Sequence, residues 1–368
     1  MQDIADIIDL FAIEGELKKT KANKEGHINS TFISTFEHEG RLYKYTHQKL
    51  NDAVFKRPEE VMQNIQKVTS HIQTKLILLP DKDKRCLKLV QTKQGGFYAY
   101  DDERNLWRTY RFIDGVNTYP FLDTADLAFR FGEAVGTFQK HLADFPADQL
   151  HTTIAKFHHM GSRYAQFRQA IAENKAGRLQ EVGNEVQFFL DNEERGMVLT
   201  NALESKLVPL RVTHNDTKIN NVLFDQSTGE GLCVIDLDTV MSGTILFDTG
   251  DMLRTGSITA SEDEQDLAKV GCDADLFVQM VEGYRSVADS FLTDTERSLI
   301  AESGRATTQI MGVRFLTDYL NGDVYYHIEH SSHNLDRTRT QIALMKDMDR
   351  KWDHILAVLS YRLSSSSN

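Results

Sequence analysis

The sequence predicts an α+β protein of two unequal lobes, a small β-rich N-terminal lobe over residues 1–115 and a larger, mostly helical C-terminal lobe over residues 116–368. Three observations lead there. In the first 115 residues, apolar positions come in short runs between turn-forming residues, as strands do. Beyond them, apolar residues recur at three- and four-residue spacing, as on helices. The length of 368 residues exceeds one ordinary domain and suits two lobes with a cleft between them.

The elements follow in order. Ile4, Ile7, Ile8 and Phe11 share a helical face, so the chain opens on a short amphipathic helix. EGHINSTFISTF reads as a turn entering a strand, EHEG as a turn and RLYKYTH as a second strand. Val61, Ile65, Val68 and Ile72 line one face of a helix with Glu59 and Glu60 in its first turn. KLILLP is expected as a buried strand. KQGG and DDERN bracket FYAY, and LWRTYRFI completes a hairpin. DGVNTYP is the expected connector. Leu127, Phe131, Val135, Phe138 and Leu142 then mark a helix, and residues 160–205 a second helical stretch. NVLFD and GLCVIDLD interrupt as two short strands joined by a glycine-containing turn, and helices resume from about Glu262 to Leu359. SSSSN ends the chain as a frayed tail.

Composition narrows the function classes. A net charge of −12 argues against nucleic acid or an anionic membrane as the main partner, because both need a basic surface. Cys86, Cys233 and Cys272 are widely spaced and form neither a CxxC motif nor a disulfide framework. The start MQDIADIIDLFAIEG is acidic and interrupted, unlike a targeting peptide, and no apolar run reaches membrane-span length. These features lead us to expect a cytoplasmic enzyme or binding protein. They set no expectation of oligomeric state.

The chemistry concentrates in RVTHNDTKINNVLFD, residues 211–225. Asp216 stands two residues before Lys218 and five before Asn221, and Asp236 follows twenty residues later at the end of the apolar run LCVI. Phosphoryl transfer from ATP needs a carboxylate to orient the attacking hydroxyl, a second carboxylate and an amide oxygen for Mg²⁺, and a cation against the transferred charge. The D-x-K-x-x-N segment carries three of these, and a short strand pair would return Asp236 beside it. Asn221 and Asp236 offer the oxygen ligands that Mg²⁺ prefers. Asn-Asp pairs are ordinary turn formers, so HND alone says little. A turn would leave Asp236 and Asp238 unexplained at the end of a buried strand.

VTHNDTKINNVLFD and CVIDLDTVMSGTILFDTGD resemble the catalytic core of the aminoglycoside phosphotransferase and choline kinase superfamily, which has the protein-kinase-like fold. EGHINSTF, RVTHNDTKINNVLFD, IDLDTVMSGTILFDTGDMLRTG, GVRFLTDYLNGDVYY and HNLDRTRTQI resemble, in that order, segments of the bacterial N-acetylhexosamine 1-kinases. The resemblance covers nearly the whole chain. It implies ATP- and Mg²⁺-dependent phosphorylation of the anomeric hydroxyl of N-acetylglucosamine or N-acetylgalactosamine. By it Asp216 is the base or orients the nucleophile, Asn221 and Asp236 hold Mg²⁺, Lys218 is the catalytic-loop lysine, and His214 braces the loop. Asp248 and Asp251 form a D-x-x-D pair, equally consistent with a direct role or with hydrogen bonding to the catalytic loop.

On the nucleotide side, the resemblance places GHIN as the covering loop. Gly26 allows close backbone approach, and His27, Asn29, Ser30 and Thr31 are candidate donors to phosphates or sugar. It places YRFIDG, with Phe112 and Ile113, as the adenine linker, which acts through its backbone. One departure stands out: the strand position where the superfamily often has a phosphate-gripping cation carries Gln48, with Lys44 and Lys49 nearby. On the acceptor side, Arg314 lies beside Val313, Leu316 and Leu320 on a helix. It reads either as a structural, snorkelling side chain or as a fork of donors for sugar hydroxyls or an acetamido carbonyl. The resemblance favours the second, and adds Tyr319 and Arg254. Arg337 and Arg339 read as structural, and His327, His330 and His333 as a solvated helix edge. Two rivals are an amino-alcohol or aminoglycoside kinase of the same fold, and a catalytically dead scaffold. Asp216, Asn221 and Asp236 are all present, which weighs against the scaffold.

Overall fold

The computed structural model describes residues 4–23 and 29–365. The N-terminal lobe begins with α1 (Ile4–Asp9) and then β1 (Glu16–Asn23), β2 (Ser30–His38) and β3 (Arg41–Lys49). Helix α2 (Pro58–Lys75) and strands β4 (Ala99–Tyr100) and β5 (Leu106–Arg111) complete it. The strands form one antiparallel sheet of order β1-β2-β3-β5-β4. The β2–β3 hairpin turns through Glu39 and Gly40, both at positive φ, as a two-residue loop in a right-twisted hairpin requires. Val61, Ile65, Val68 and Ile72 of α2 are all buried, as their spacing predicts.

Two elements differ from the sequence reading. KLILLP is not a strand. The face that runs through Val68 and Ile72 continues to Leu76, which caps α2 and is buried, so the apolar run starts as the helix's last turn. Ile77 and Leu78 then project into solvent at 65% and 93% exposure. Strand β1 was not expected, because ELKKTKAN alternates no apolar residues. It is an edge strand, and edge strands carry such lysines to discourage pairing with other chains.

The helical lobe starts with β6 (Val116–Asn117), α3 (Ala125–His141), α4 (Met160–Glu173), α5 (Gly183–Asp191), α6 (Glu193–Gly196) and α7 (Val198–Glu204). Strands β7 (Arg211–Thr213), β8 (Val222–Asp225), β9 (Gly231–Val234) and β10 (Met241–Gly243) follow. Helices α8 (Ile245–Ser257), α9 (Ala274–Ala288), α10 (Asp294–Asn321) and α11 (His333–Ser365) close the lobe. Strands β8 and β9 are the pair expected from NVLFD and GLCVIDLD, while β6, inside the expected connector, adds to their edge. The face of Leu127, Phe131, Val135, Phe138 and Leu142 is buried on α3 and just beyond its end. Helix α3 packs against α9 with backbones almost touching; a Cβ at Gly283 would stand 1.9 Å from the Phe129 carbonyl oxygen.

Helix α8 lies ahead of the point where helices were expected to resume. Every residue but Thr255 is buried, the polar side chains Asp248 and Asp251 included, so its polar stripe faces protein and not solvent. Thr244 caps it by accepting from the Leu246 amide. Among the described residues, no helix is long and apolar enough to cross a membrane.

Candidate active site

Strands β7 and β10 pair at the base of the catalytic loop, with Thr213 opposite Met241. Asp248, on the first turn of α8, holds the loop backbone. Its carboxylate accepts from the His214 amide (3.0 Å), the Asn215 amide (2.7 Å) and Gln139 Nε2 (3.0 Å). The Asp248 carbonyl also accepts from Thr217 Oγ1 at 2.6 Å. This is the structural one of the two readings open for Asp248. His214 braces the loop from within: its Nδ1 accepts from the Asp216 amide at 3.2 Å, so Nε2 carries the proton donated to the Ile235 carbonyl at 2.9 Å. Asn215 sits at φ 68 and Asp236 at φ 62, the left-handed conformations that Asn and Asp tolerate best among side-chain-bearing residues.

Asp216, Lys218, Asn221 and Asp236 converge. Lys218 Nζ is 3.1 Å from Asp216 Oδ2, and Asn221 Nδ2 donates to the same oxygen at 3.0 Å and to the Asp216 carbonyl at 2.8 Å. Burial would push the Asp216 carboxyl up, but the charge of Lys218, helped by His214 and these hydrogen bonds, holds it below the usual range. It therefore stays ionised, and its side chain is still 30% exposed to the cleft. Lys218 is in turn held charged by Asp216. The Asn221 carbonyl accepts from the Ile235 amide at 2.8 Å, which brings Asp236 beside the loop.

These residues suit a divalent cation. Asn221 spends its Nδ2 on Asp216, and among the described residues no protein donor reaches its Oδ1 or the Asp236 carboxylate. Burial, with Asp238 and Asp216 close by, pushes Asp236 up to about 6, the mark of a carboxylate short of positive charge. Among the described residues no three His, Cys, Asp or Glu side chains cluster to hold a metal unaided. An ion here would take its remaining ligands from phosphate and water, as Mg²⁺ does in phosphotransfer sites. Of the histidines expected on a solvated helix edge, His327 and His330 are exposed, but His333 is buried at the start of α11, where it pairs with Asp263 at 3.1 Å.

On the nucleotide side, Gly26 and His27 lie outside the described residues. Ser30 is exposed at the start of β2. Thr31 is buried and accepts from Gln48 Nε2 at 3.3 Å. Asn29 is committed to protein: Nδ2 donates to Asp238 at 2.6 Å, and Oδ1 accepts from the Asn51 amide at 3.1 Å. In the linker, the Phe112 amide donates to the Lys44 carbonyl at 3.0 Å. That leaves the Ile113 amide with no protein acceptor among the described residues. Lys44 turns away to Asp114 at 2.6 Å.

On the acceptor side, Arg314 is 8% exposed and forms no ion pair among the described residues. Its guanidinium lies 4.8 Å from the Phe157 ring centroid, 5.8 Å from Tyr325 and 5.5 Å from Tyr326. Among the described residues its one hydrogen-bond partner is the Met311 sulfur. Phe157 adjoins His158, whose Nε2 donates to the Asn215 carbonyl at 3.0 Å, so Arg314 is linked by packing to the catalytic loop. Burial, then the charge of Arg314, lowers His158 to about 3 and Arg163 to about 10. Among the described residues, the buried His158 Nδ1 and Tyr326 hydroxyl have no partner. The four backbone and side-chain donors on Asp318, from Val324, Tyr325, Tyr326 and Asn334, set the loop that carries the two tyrosines.

The other two expected acceptor residues are placed differently. Arg254 is clasped by Asp251 through Nε (3.0 Å) and Nη2 (2.8 Å), and by Glu262 at 2.6 Å. Tyr319 is not brought to the loop by any contact: its hydroxyl donates to Glu181 and Arg178 stacks on its ring at 4.4 Å. Arg337 and Arg339 bond to the His327 carbonyl and to Glu185, structural partners both.

Residues 21–287 match the phosphotransferase enzyme family. The chain belongs to that family. The fold of this phosphotransferase is shared with solved structures at low identity. An aminoglycoside phosphotransferase from Alicyclobacillus acidocaldarius superposes with a TM-score of 0.58 at 12% identity, covering 97% of this chain and 96% of that one. A microcompartment-associated aminopropanol kinase gives 0.55 at 12% identity, covering 96% and 98%. A choline kinase from Cryptosporidium parvum gives 0.54 at 15% identity, covering 93% and 92%.

One residue of the phosphotransferase cleft escaped the sequence reading. Arg108 of β5 is 1% exposed and is paired with Asp238. A signal existed in LWRTYR: an arginine set among Leu, Trp and Tyr in an expected strand calls for a partner that compensates its charge if the strand is buried.

Proposed function

We propose that this phosphotransferase moves the γ-phosphoryl group of ATP to the anomeric hydroxyl of an N-acetylhexosamine. Residues 1–115 bind the nucleotide, and residues 116–368 carry catalysis and the sugar. The observation that carries this reading is Arg314: a buried cation without a carboxylate, walled by Phe157, Tyr325 and Tyr326, beside the loop that bears Asp216. A pocket for a cationic acceptor needs carboxylates or an aromatic cage free of positive charge. Arg314 occupies these aromatics itself and offers donors to a carbonyl or to hydroxyls.

The chemistry follows from the loop. Asp216, ionised and hydrogen-bonded, orients the hydroxyl and receives its proton late in the transfer. An anomeric hydroxyl is more acidic than an ordinary alcohol, so a carboxylate held low suffices. Lys218 offsets charge on the phosphoryl group. Asn221 and Asp236 would hold Mg²⁺, which when bound would supply positive charge against the charge of the phosphates. The Ile113 amide is the donor for the adenine edge, and Ser30 and Thr31 are donors for the phosphates, with Gly26 and His27 of the same segment assigned to them by sequence alone.

A second reading keeps the chemistry and takes an amino alcohol or aminoglycoside; the fold likeness to the aminopropanol and choline kinases favours it. The test is ADP release with ATP and Mg²⁺ over N-acetylglucosamine, N-acetylgalactosamine, galactose, choline and homoserine, with the product position read by phosphorus NMR. A 1-phosphate from an N-acetylated sugar is expected. Turnover with choline or homoserine alone would replace the sugar reading with the second.

A further inference from the structure

Strand β3 carries Gln48 in place of a phosphate-gripping cation, and the antiparallel register sets Gln48 directly opposite Arg108 on β5. Residues paired this way share a face of the sheet. Gln48 Oε1 accepts from Arg108 Nε at 3.0 Å and Nη2 at 2.8 Å, which leaves Nη1 to donate to Asp238 Oδ1. The two charged side chains are 1% and 4% exposed, so the pair is cut off from solvent. It also crosses the cleft, from the sheet to the turn Leu237–Thr239. The other oxygen of Asp238 accepts from Asn29, the last residue of GHIN.

The turn is held from three further directions. Thr239 Oγ1 donates to the His214 carbonyl at 2.7 Å, and Asn215 Nδ2 donates to the Thr239 carbonyl at 2.9 Å. Asn64 of α2 donates to the Val240 carbonyl at 2.9 Å. Asp236 enters this turn in its left-handed conformation, two residues before Asp238. Its direction is therefore set by where Asp238 is anchored. Beneath Arg108, the Tyr110 ring lies 5.1 Å away, with a buried hydroxyl that has no partner.

We propose that Arg108 and Asp238 form a cross-lobe positioning pair that aims Asp236 and, through the second oxygen of Asp238, holds Asn29 ahead of strand β2. Protein kinases fix their cleft with a lysine–glutamate pair between a strand and a helix. Here the pair runs between strand β5 and the turn of the metal-binding carboxylate itself. The inference rests on the reading of this cleft as a nucleotide–metal site.

The experiment measures binding, not turnover. Affinity for Mn²⁺·ADP is read from the free Mn²⁺ signal by electron paramagnetic resonance, and adenosine affinity by calorimetry, for the wild type, Arg108→Met, Arg108→Lys, Asp238→Asn and the charge-neutral double variant Arg108→Met/Asp238→Asn. Removing partners that orient a metal ligand weakens metal binding about 10–100-fold. That loss is expected for Mn²⁺·ADP in each neutralised variant, with partial recovery in Arg108→Lys and adenosine affinity changed less than about twofold, since the linker is untouched. The double variant should lose no more than the worse single one. If a single variant does not fold, the double variant, which strands no buried charge, decides. A folded variant that binds Mn²⁺·ADP like the wild type, or loses adenosine equally, overturns the inference alone. A wild type that binds no Mn²⁺·ADP overturns the underlying reading as well.

Discussion

Arg108 and Arg314 are both buried beside the cleft, one on its sheet side and one on its helical side. Arg108 meets a carboxylate and a glutamine oxygen. Arg314 meets three aromatic rings and a sulfur. A guanidinium without a carboxylate is a poor choice for stability, since desolvation of its charge goes uncompensated. The contrast separates two uses of one residue type. A charge fully satisfied by protein holds architecture in place, and a charge left unsatisfied at a cleft wall is kept for something that enters.

The comparison depends first on the loop between the two arginines being the reacting centre. Asp216→Asn removes the carboxylate and keeps the shape, so turnover should fall about 10²–10⁴-fold while ADP affinity and melting temperature stay near wild type. A rate within a few-fold of wild type would remove the loop from the chemistry, and both arginines would lose their assigned roles.

Next comes the stability contrast. Arg108→Met leaves Asp238 buried and unpaired, which should cost about 3–5 kcal/mol in urea unfolding. Arg314→Met strands no partner and fills the same apolar space, so its stability should change by less than about 1 kcal/mol or rise. The acceptor KM of Arg314→Met should rise about 10–100-fold, the value of hydrogen bonds to a charged group. Equal destabilisation of both variants would show that Arg314 is structural after all.

Much of this was legible in the sequence where one residue type answers to one physical demand. The α2 and α3 faces follow from period alone, and D-x-K-x-x-N with a following Asp is close to a statement of what phosphotransfer requires. The rest failed for identifiable reasons. Strand β1 is polar on both faces because it is an edge, and α8 buries its polar side chains along with its apolar ones. The Arg108–Asp238 pair joins residues 130 apart in sequence, and only the β3–β5 register shows that Gln48 and Arg108 point the same way. Arg314 was singled out, but its lack of a carboxylate partner is a fact of packing that no sequence pattern carries.

A titratable group can also be buried by giving up its charge, and one histidine does this on each side of the cleft. His47 of β3 is fully buried between Ser34 Oγ (2.7 Å) and Thr109 Oγ1 (2.8 Å), and burial lowers it from 6.5 to about 4. His158, lowered to about 3, has burial and Arg314 against its charge. Between pH 6.5 and 4 the unfolded chain takes up protons that the folded chain refuses, so this contribution is complete above pH 6.5 and lost as the pH falls. Each histidine adds about 1.4 kcal/mol of lost stability per pH unit across that window. His47→Gln should lower the slope in urea unfolding between pH 6.5 and 4.5 by about 1.4 kcal/mol per pH unit, a difference in which the opposite contribution of Asp236, common to both proteins, cancels. Arg314→Met should trim only the share of His158, by lifting that ring's pKa while burial still holds it below the ordinary value. If nuclear magnetic resonance shows His158 titrating alike with and without Arg314, the guanidinium is not facing the wall where the acceptor is proposed to bind.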